Sequence, residues 1–240
     1  MKNTLITVLL FCFFSLVSNA QHSNIRISTL NYPNEPSIAL DPKNPRYIVA
    51  GANINSYYYS SDTGRTWSTG SLSSTYGVWG DPTIIFDTAG GVYFFHLSNP
   101  AGGNWIDRIV CQKALNKGQT WNNGSYTGLN GAKAQDKQWP ALDRKRNILY
   151  LTWTQFDVYG SAAAKDSSHI MFSRSLDAGA TWSPAKRLDI KGGDCIDSDN
   201  TVEGAVPAVG PLGQLYVTWV GKEGLYFTRS NNGGGKWSKP

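Results

Sequence analysis

Four times along this chain a serine-like position leads into a turn that a tryptophan closes. The segments are Ser60–Trp67 (SSDTGRTW), Ala114–Trp121 (ALNKGQTW), Ser175–Trp182 (SLDAGATW) and Ser230–Trp237 (SNNGGGKW). Their starts lie 54, 61 and 55 residues apart. A period of that size marks a repeat architecture, in which each repeat is one supersecondary unit that buries its apolar face only by stacking on its neighbours. The first and third segments read Ser-x-Asp-x-Gly-x-Thr-Trp. Asp62 and Asp177 are suited to accept backbone N–H groups two or three residues on and so fix a tight turn. Gly64 and Gly179 can take positive φ without strain. The Thr-Trp pair is expected to open the next strand. The second copy has Ala114 and Asn116 in place of Ser and Asp, and the fourth has Asn232 and Lys236 in place of Asp and Thr. Both keep the glycine (Gly118, Gly234) and the tryptophan (Trp121, Trp237), as the first and third keep Trp67 and Trp182. All four turns are therefore expected to form.

A second repeat precedes each turn. A proline opens a short apolar run at Pro36, Pro82, Pro140 and Pro207, a longer β-rich run follows, and a third leads into the turn. Four short strands joined by Gly, Asn, Asp and Pro turns make one unit, and no segment holds a helical period. Four-stranded sheets repeated around an axis are propeller blades. The fold class expected is all-β, a β-propeller with antiparallel blades over about 31–74, 78–128, 136–190 and 203–240.

The Trp-closed turns resemble the Asp-box, or BNR repeat, of the sialidase and neuraminidase β-propellers. The resemblance covers roughly residues 31–240. It implies six blades in a complete protein, so this sequence is expected to be a piece of a longer chain; a closed four-bladed ring is the alternative. It also implies that the turns are structural. In that family catalysis uses a tyrosine nucleophile, a glutamate that activates it, an aspartate acid/base, and three arginines that hold the sialic acid carboxylate. The first arginine belongs two residues before the proline of blade one, where this chain reads Asn34-Glu35-Pro36. That arginine is missing.

Residues 1–20 read as a secretory signal peptide: Lys2, a 13-residue apolar stretch Leu5–Val17, and a Ser18-Asn19-Ala20 cleavage site. Residues 21–30 are an N-terminal segment. The expected location is secreted, periplasmic or cell-surface, with no run long enough to span a bilayer. Cys111 and Cys195 would then meet oxidising conditions and either pair or stay as buried thiols. The net charge is +5 with scattered basic residues, which gives no stripe for nucleic acid. A monomer is expected. The oxygen-rich run Asp194–Asn200 offers groups of the kind calcium takes, but its spacing departs from an EF-hand and a polar surface loop is the plainer reading. No cofactor is otherwise expected, and His22, His96 and His169 form no zinc pattern.

Ligand sites of propellers form where loops meet at one end of the axis. The residues leading into each innermost strand are acidic: Glu35, Asp81, Asp136 and Glu203. Carboxyl groups held together raise one another's pKa, which suits them to proton transfer; acids before prolines are also ordinary turn residues. By resemblance, Glu203 is the partner glutamate and Asp81 or Asp136 the acid/base. Glu35 is a substrate-binding candidate, and Trp79 and Trp139 could stack on a sugar ring or simply pack. The functional expectation is a secreted sialidase-like glycoside hydrolase acting on terminal sialic acid or a related sugar, inactive as this fragment. A non-catalytic glycan- or protein-binding propeller is the alternative, and a hydrolase of plant or bacterial polysaccharide is a third.

Overall fold

The computed structural model describes residues 24–240; the signal-peptide reading lies outside them. Fifteen strands form four antiparallel sheets in strict chain order. The first holds β1 (Ser37–Leu40), β2 (Ile48–Ala52), β3 (Ser56–Ser60) and β4 (Ser68–Ser71). The second holds β5 (Thr83–Phe86), β6 (Val92–Leu97), β7 (Ile109–Ala114) and β8 (Ser125–Thr127). The third holds β9 (Ala134–Asp143), β10 (Ile148–Phe156), β11 (Ser168–Ser175) and β12 (Lys186–Arg187). The fourth holds β13 (Glu203–Val209), β14 (Leu215–Gly221) and β15 (Gly224–Ser230). After β15 the chain turns back, and Ser238 N–H bonds to Arg229 O at 2.9 Å. Innermost strands adjoin in sequence: β1 lies against β5, β5 against β9, and β9 against β13. Among the described residues β13 has no comparable contact with β1, so the sheets form an arc.

The core lies between the sheets, and period-two alternation decides which gap each side chain fills. In β6, Val92 and Phe94 pack toward β2 of the first sheet with Val49, while Tyr93, Phe95 and Leu97 face the third sheet. In β10, Leu149, Leu151 and Trp153 meet that second sheet, and Tyr150 turns to the fourth sheet beside Leu215, Val217 and Trp219. A strand buried on both faces reads as a continuous apolar or aromatic run, as in VYFFHL of β6. Cys111 and Cys195 lie buried in the gap between the second and third sheets as free thiols. His96 is buried on the opposite face of β6, beside Phe94, with Nδ1 at Leu97 O and Nε2 at Gln112 Oε1, and burial holds its pKa down to about 4.

The Trp-closed turns staple each sheet to the one before. Trp121 packs on Tyr57 and Phe94, Trp182 on Phe95, and Trp237 on Phe172. Trp182 also donates its indole N–H to Ser125 Oγ of the second sheet at 2.9 Å. Within the first turn, Ser60 Oγ accepts Gly64 N–H and donates to Asp62 Oδ1, while Asp62 accepts both Thr66 N–H and Thr66 Oγ1–H. The third turn repeats this with Ser175, Gly179, Asp177 and Thr181, and the bonds from the two threonines hold both aspartates at a pKa of about 2. Asn116 and Asn232 accept the equivalent N–H groups in the other two turns. Gly64 and Gly179 both sit at φ 81, where a Cβ would be strained.

Three sequence expectations change. The carboxylate bonds reach four residues on, rather than two or three. The Thr-Trp pair does not open the next strand: β4 starts at Ser68 and β8 at Ser125, because the indole stays in the turn, with Trp67 and Trp237 donating to Gly64 O and Gly234 O. Pro140 and Pro207 do not open their strands but lie inside β9 and β13, where an innermost edge strand tolerates the missing N–H. Replacing Ser175 by Ala removes the acceptor of the buried Gly179 N–H. The expected cost is about 1–3 kcal/mol, readable from the urea midpoint, whereas Asp177→Asn, which the asparagines of the other turns imitate, should cost less.

Candidate functional site

Each innermost strand is entered through one residue in the left-handed region: Glu35 (φ 48), Asp81 (φ 51), Lys137 (φ 50) and Gly204 (φ 67). Strand register shows that the four are equivalent. The residue two further on pairs with the second strand in each sheet: Ser37 with Gly51, Thr83 with Phe95, Trp139 with Thr152, and Val206 with Thr218. Non-glycine residues held there cost of order 1–3 kcal/mol each, and such strain gathers at functional sites. The expectation of one acid per blade at a common place is thus corrected. In the third and fourth sheets the shared position belongs to Lys137 and Gly204, and Asp136 and Glu203 stand one residue earlier. The cause is a register shift in each sheet, between Thr152 and Thr154 and between Glu203 and Val206, which lets the strand start upstream of the expected point.

Lys137 is the hub. Its Nζ lies 3.0 Å from Asp81 Oδ2, a pair that joins the second and third sheets. Asp136 is buried and takes Lys137 N–H on Oδ1 at 2.8 Å, while the ammonium serves Asp81. Burial works against the Lys137 charge, but Asp81, Asp136 and Glu35 together raise its pKa. Asp81 is seated by its neighbours: Asn53 Oδ1 accepts its N–H at 2.7 Å, and Gln138 Nε2 donates to its carbonyl. Asn53 in turn donates to Asn34 Oδ1, so the first sheet braces the entry to the second.

Three adjoining clefts of about 370, 390 and 340 Å³ share Lys137 in their walls. Glu35, Asp81 and Trp139 line the first, Trp79, Asp81 and Asp136 the second, and Trp139 and Glu203 the third. All six sequence candidates for catalysis or substrate binding therefore border this one axial region. Glu203 is partly buried with Oε1 unpartnered. Burial first, then Asp197 and Asp136, pushes its pKa up to about 7. Burial likewise pushes Asp136 up against the pull of Lys137. A carboxyl such as Glu203, raised to about 7 and set beside the Lys137–Asp81 pair, can exchange protons with a bound ligand near neutral pH.

Sequence reasoning missed Lys137, Trp105, Tyr159 and Asp197. Trp79, Trp105 and Tyr159 form an edge-to-face chain with centroids 6.3 and 5.4 Å apart. Tyr159 O–H donates to Asp197 Oδ2 at 2.9 Å, which places part of the oxygen-rich loop at the site. The rest of that loop is tied to itself, with Asp194 accepting from Ser198 and Thr201, and no group of three metal-ligating side chains is gathered among the described residues.

The fold is that of the β-propellers. No protein-family model matches the sequence, and no curated protein matches it. Solved structures do share its architecture. A protein of unknown function from Dyadobacter fermentans superposes with a TM-score of 0.61 at 12% identity, over 86% of this chain and 68% of that one. The NanB sialidase of Streptococcus pneumoniae gives 0.59 at 12% identity, over 87% and 51%. An α-L-arabinanase of Penicillium chrysogenum, complexed with arabinobiose, gives 0.55 at 16% identity, over 85% and 65%. The chain thus spans between half and about two thirds of these proteins.

Proposed function

We propose that this chain is the greater part of an exported, glycan-active propeller, that the axial clefts around Lys137 are its sugar site, and that it is a glycoside hydrolase in which Glu203 and Asp136 move protons. The observation that carries the reading is the Glu203 carboxyl, half-buried in the cleft wall with a pKa near 7. A group so tuned can give up or take a proton at neutral pH. Trp79 and Trp139, both exposed beside the acids, offer flat apolar faces for a sugar ring. The sugar-acting names among the fold's solved neighbours agree with this at the level of architecture alone. The sialic acid form of the reading rests on the resemblance of the Trp-closed turns. A non-catalytic glycan binder is the second reading, favoured by the Lys137–Asp81 pair, which ties up one carboxylate in structure. The two separate on a panel of fluorogenic glycosides assayed on the full-length protein, with the parent oligosaccharides titrated in parallel. Turnover supports the hydrolase, saturable binding without turnover supports the binder, and neither overturns both.

A further inference from the structure

The charge of the cleft limits which glycans fit it; this deepens the sugar-site reading just given, on which it rests, and sets aside its sialic acid form. Five carboxyl groups (Glu35, Asp81, Asp136, Asp199 and Glu203) line the three clefts against one cation, Lys137, and with Asp136 and Glu203 holding protons more readily than free acids, Glu35, Asp81 and Asp199 still outnumber it. No arginine stands among the described lining residues. The Lys137 ammonium is already engaged by Asp81 at 3.0 Å, and as a point charge it cannot grip a second carboxylate in the two-pronged way a guanidinium can. A second observation concerns neutral atoms. Gln138, 1% exposed, donates its Nε2–H to Asp81 O, which fixes the amide and leaves Oε1 buried in the same wall with no partner. An amide oxygen can only accept. A sugar hydroxyl or ammonium can satisfy it, and an ionised carboxylate cannot.

We propose that the cleft takes glycans free of acidic groups and turns away sugars that carry a carboxylate or sulfate. Like charges brought together across a desolvated contact cost affinity and act as the repulsive element of specificity. The implied ligands are neutral or amino sugars.

The test uses matched pairs on the intact chain. Neutral oligosaccharides are titrated beside the same glycans capped with sialic acid or glucuronic acid, at low and high salt. The acidic cap is expected to weaken binding about tenfold or more at low salt, with the penalty shrinking as salt screens the repulsion. Glu35→Gln and Asp199→Asn, both at exposed positions, should each reduce the penalty while the chain stays folded. Equal or tighter binding of the capped glycans overturns the charge selection and leaves the sugar site standing. Binding of no glycan overturns the sugar site and the selection with it.

Discussion

Replacing Glu203 by Gln is expected to lower kcat on any glycoside the protein turns over by about 10²–10⁴-fold, the range typical of a positioned acid or base. The pH profile should change with it. In the wild-type protein a limb near pH 7 reports the Glu203 carboxyl, and it should vanish in the variant. Stability should move the other way. The folded pKa of about 7 stands above the ordinary 4.5, so the folded chain binds more protons than the unfolded one between those values. The stabilisation from protonated Glu203 is complete below pH 4.5 and is lost as pH rises through 7. Glu203→Gln lacks this loss, so above neutrality it should unfold at higher urea than wild type. A variant both inactive and more stable at pH 8 is the signature of a group held against its own preference. A variant equally active, with an unchanged stability profile, would remove Glu203 from the chemistry.

The second large effect lies in the core. Trp153 is fully buried between the second and third sheets, and its indole donates to Gln135 Oε1 at 2.7 Å. Trp153→Ala leaves a cavity and an orphaned amide oxygen. The cost is expected at about 3–5 kcal/mol, a large share of the 5–15 kcal/mol typical of a domain. The variant should lose its near-ultraviolet dichroism well below the wild-type urea midpoint. Trp139→Ala removes an equally large side chain that packs on no core, since Trp139 is exposed on the cleft rim. It should shift the midpoint by less than about 0.5 kcal/mol while weakening glycan binding. Equal losses from the two would contradict the division between gap-filling and cleft-facing tryptophans.

That division also sets how far the sequence could be read. The repeat was legible because a turn depends on local chemistry: Ser60, Asp62 and Gly64 bond to one another within a few residues, and the spacing of four such groups sets the architecture. The longer β-rich runs that hold β6 and β10 were legible as strands, but which gap each of their side chains fills was not. The site was half legible. Asp81, Asp136 and Glu203 were found because acids ahead of apolar runs stand out. Lys137 was passed over because Asp136 beside it matched the pattern better. Only the strand register, with its two shifts, shows that Lys137 is the true counterpart of Glu35 and Asp81. Trp105, Tyr159 and Asp197 come from loops whose paths local sequence does not set, and no spacing rule would have brought Asp197 to Tyr159. The missing arginine at Asn34-Glu35-Pro36 was visible from the start, and the acidic lining of the cleft gives it a physical meaning.

Acids from separate sheets meet at one axial cleft. Titrating the Glu203 side-chain carboxyl by ¹³C NMR, in wild type and in Asp136→Asn, reads that meeting, since Asp136 belongs to β9 and Glu203 to β13. A midpoint near 7 in wild type, falling when the Asp136 charge is removed, is the result expected. A midpoint near 4.5 that does not move with Asp136 would contradict the convergence.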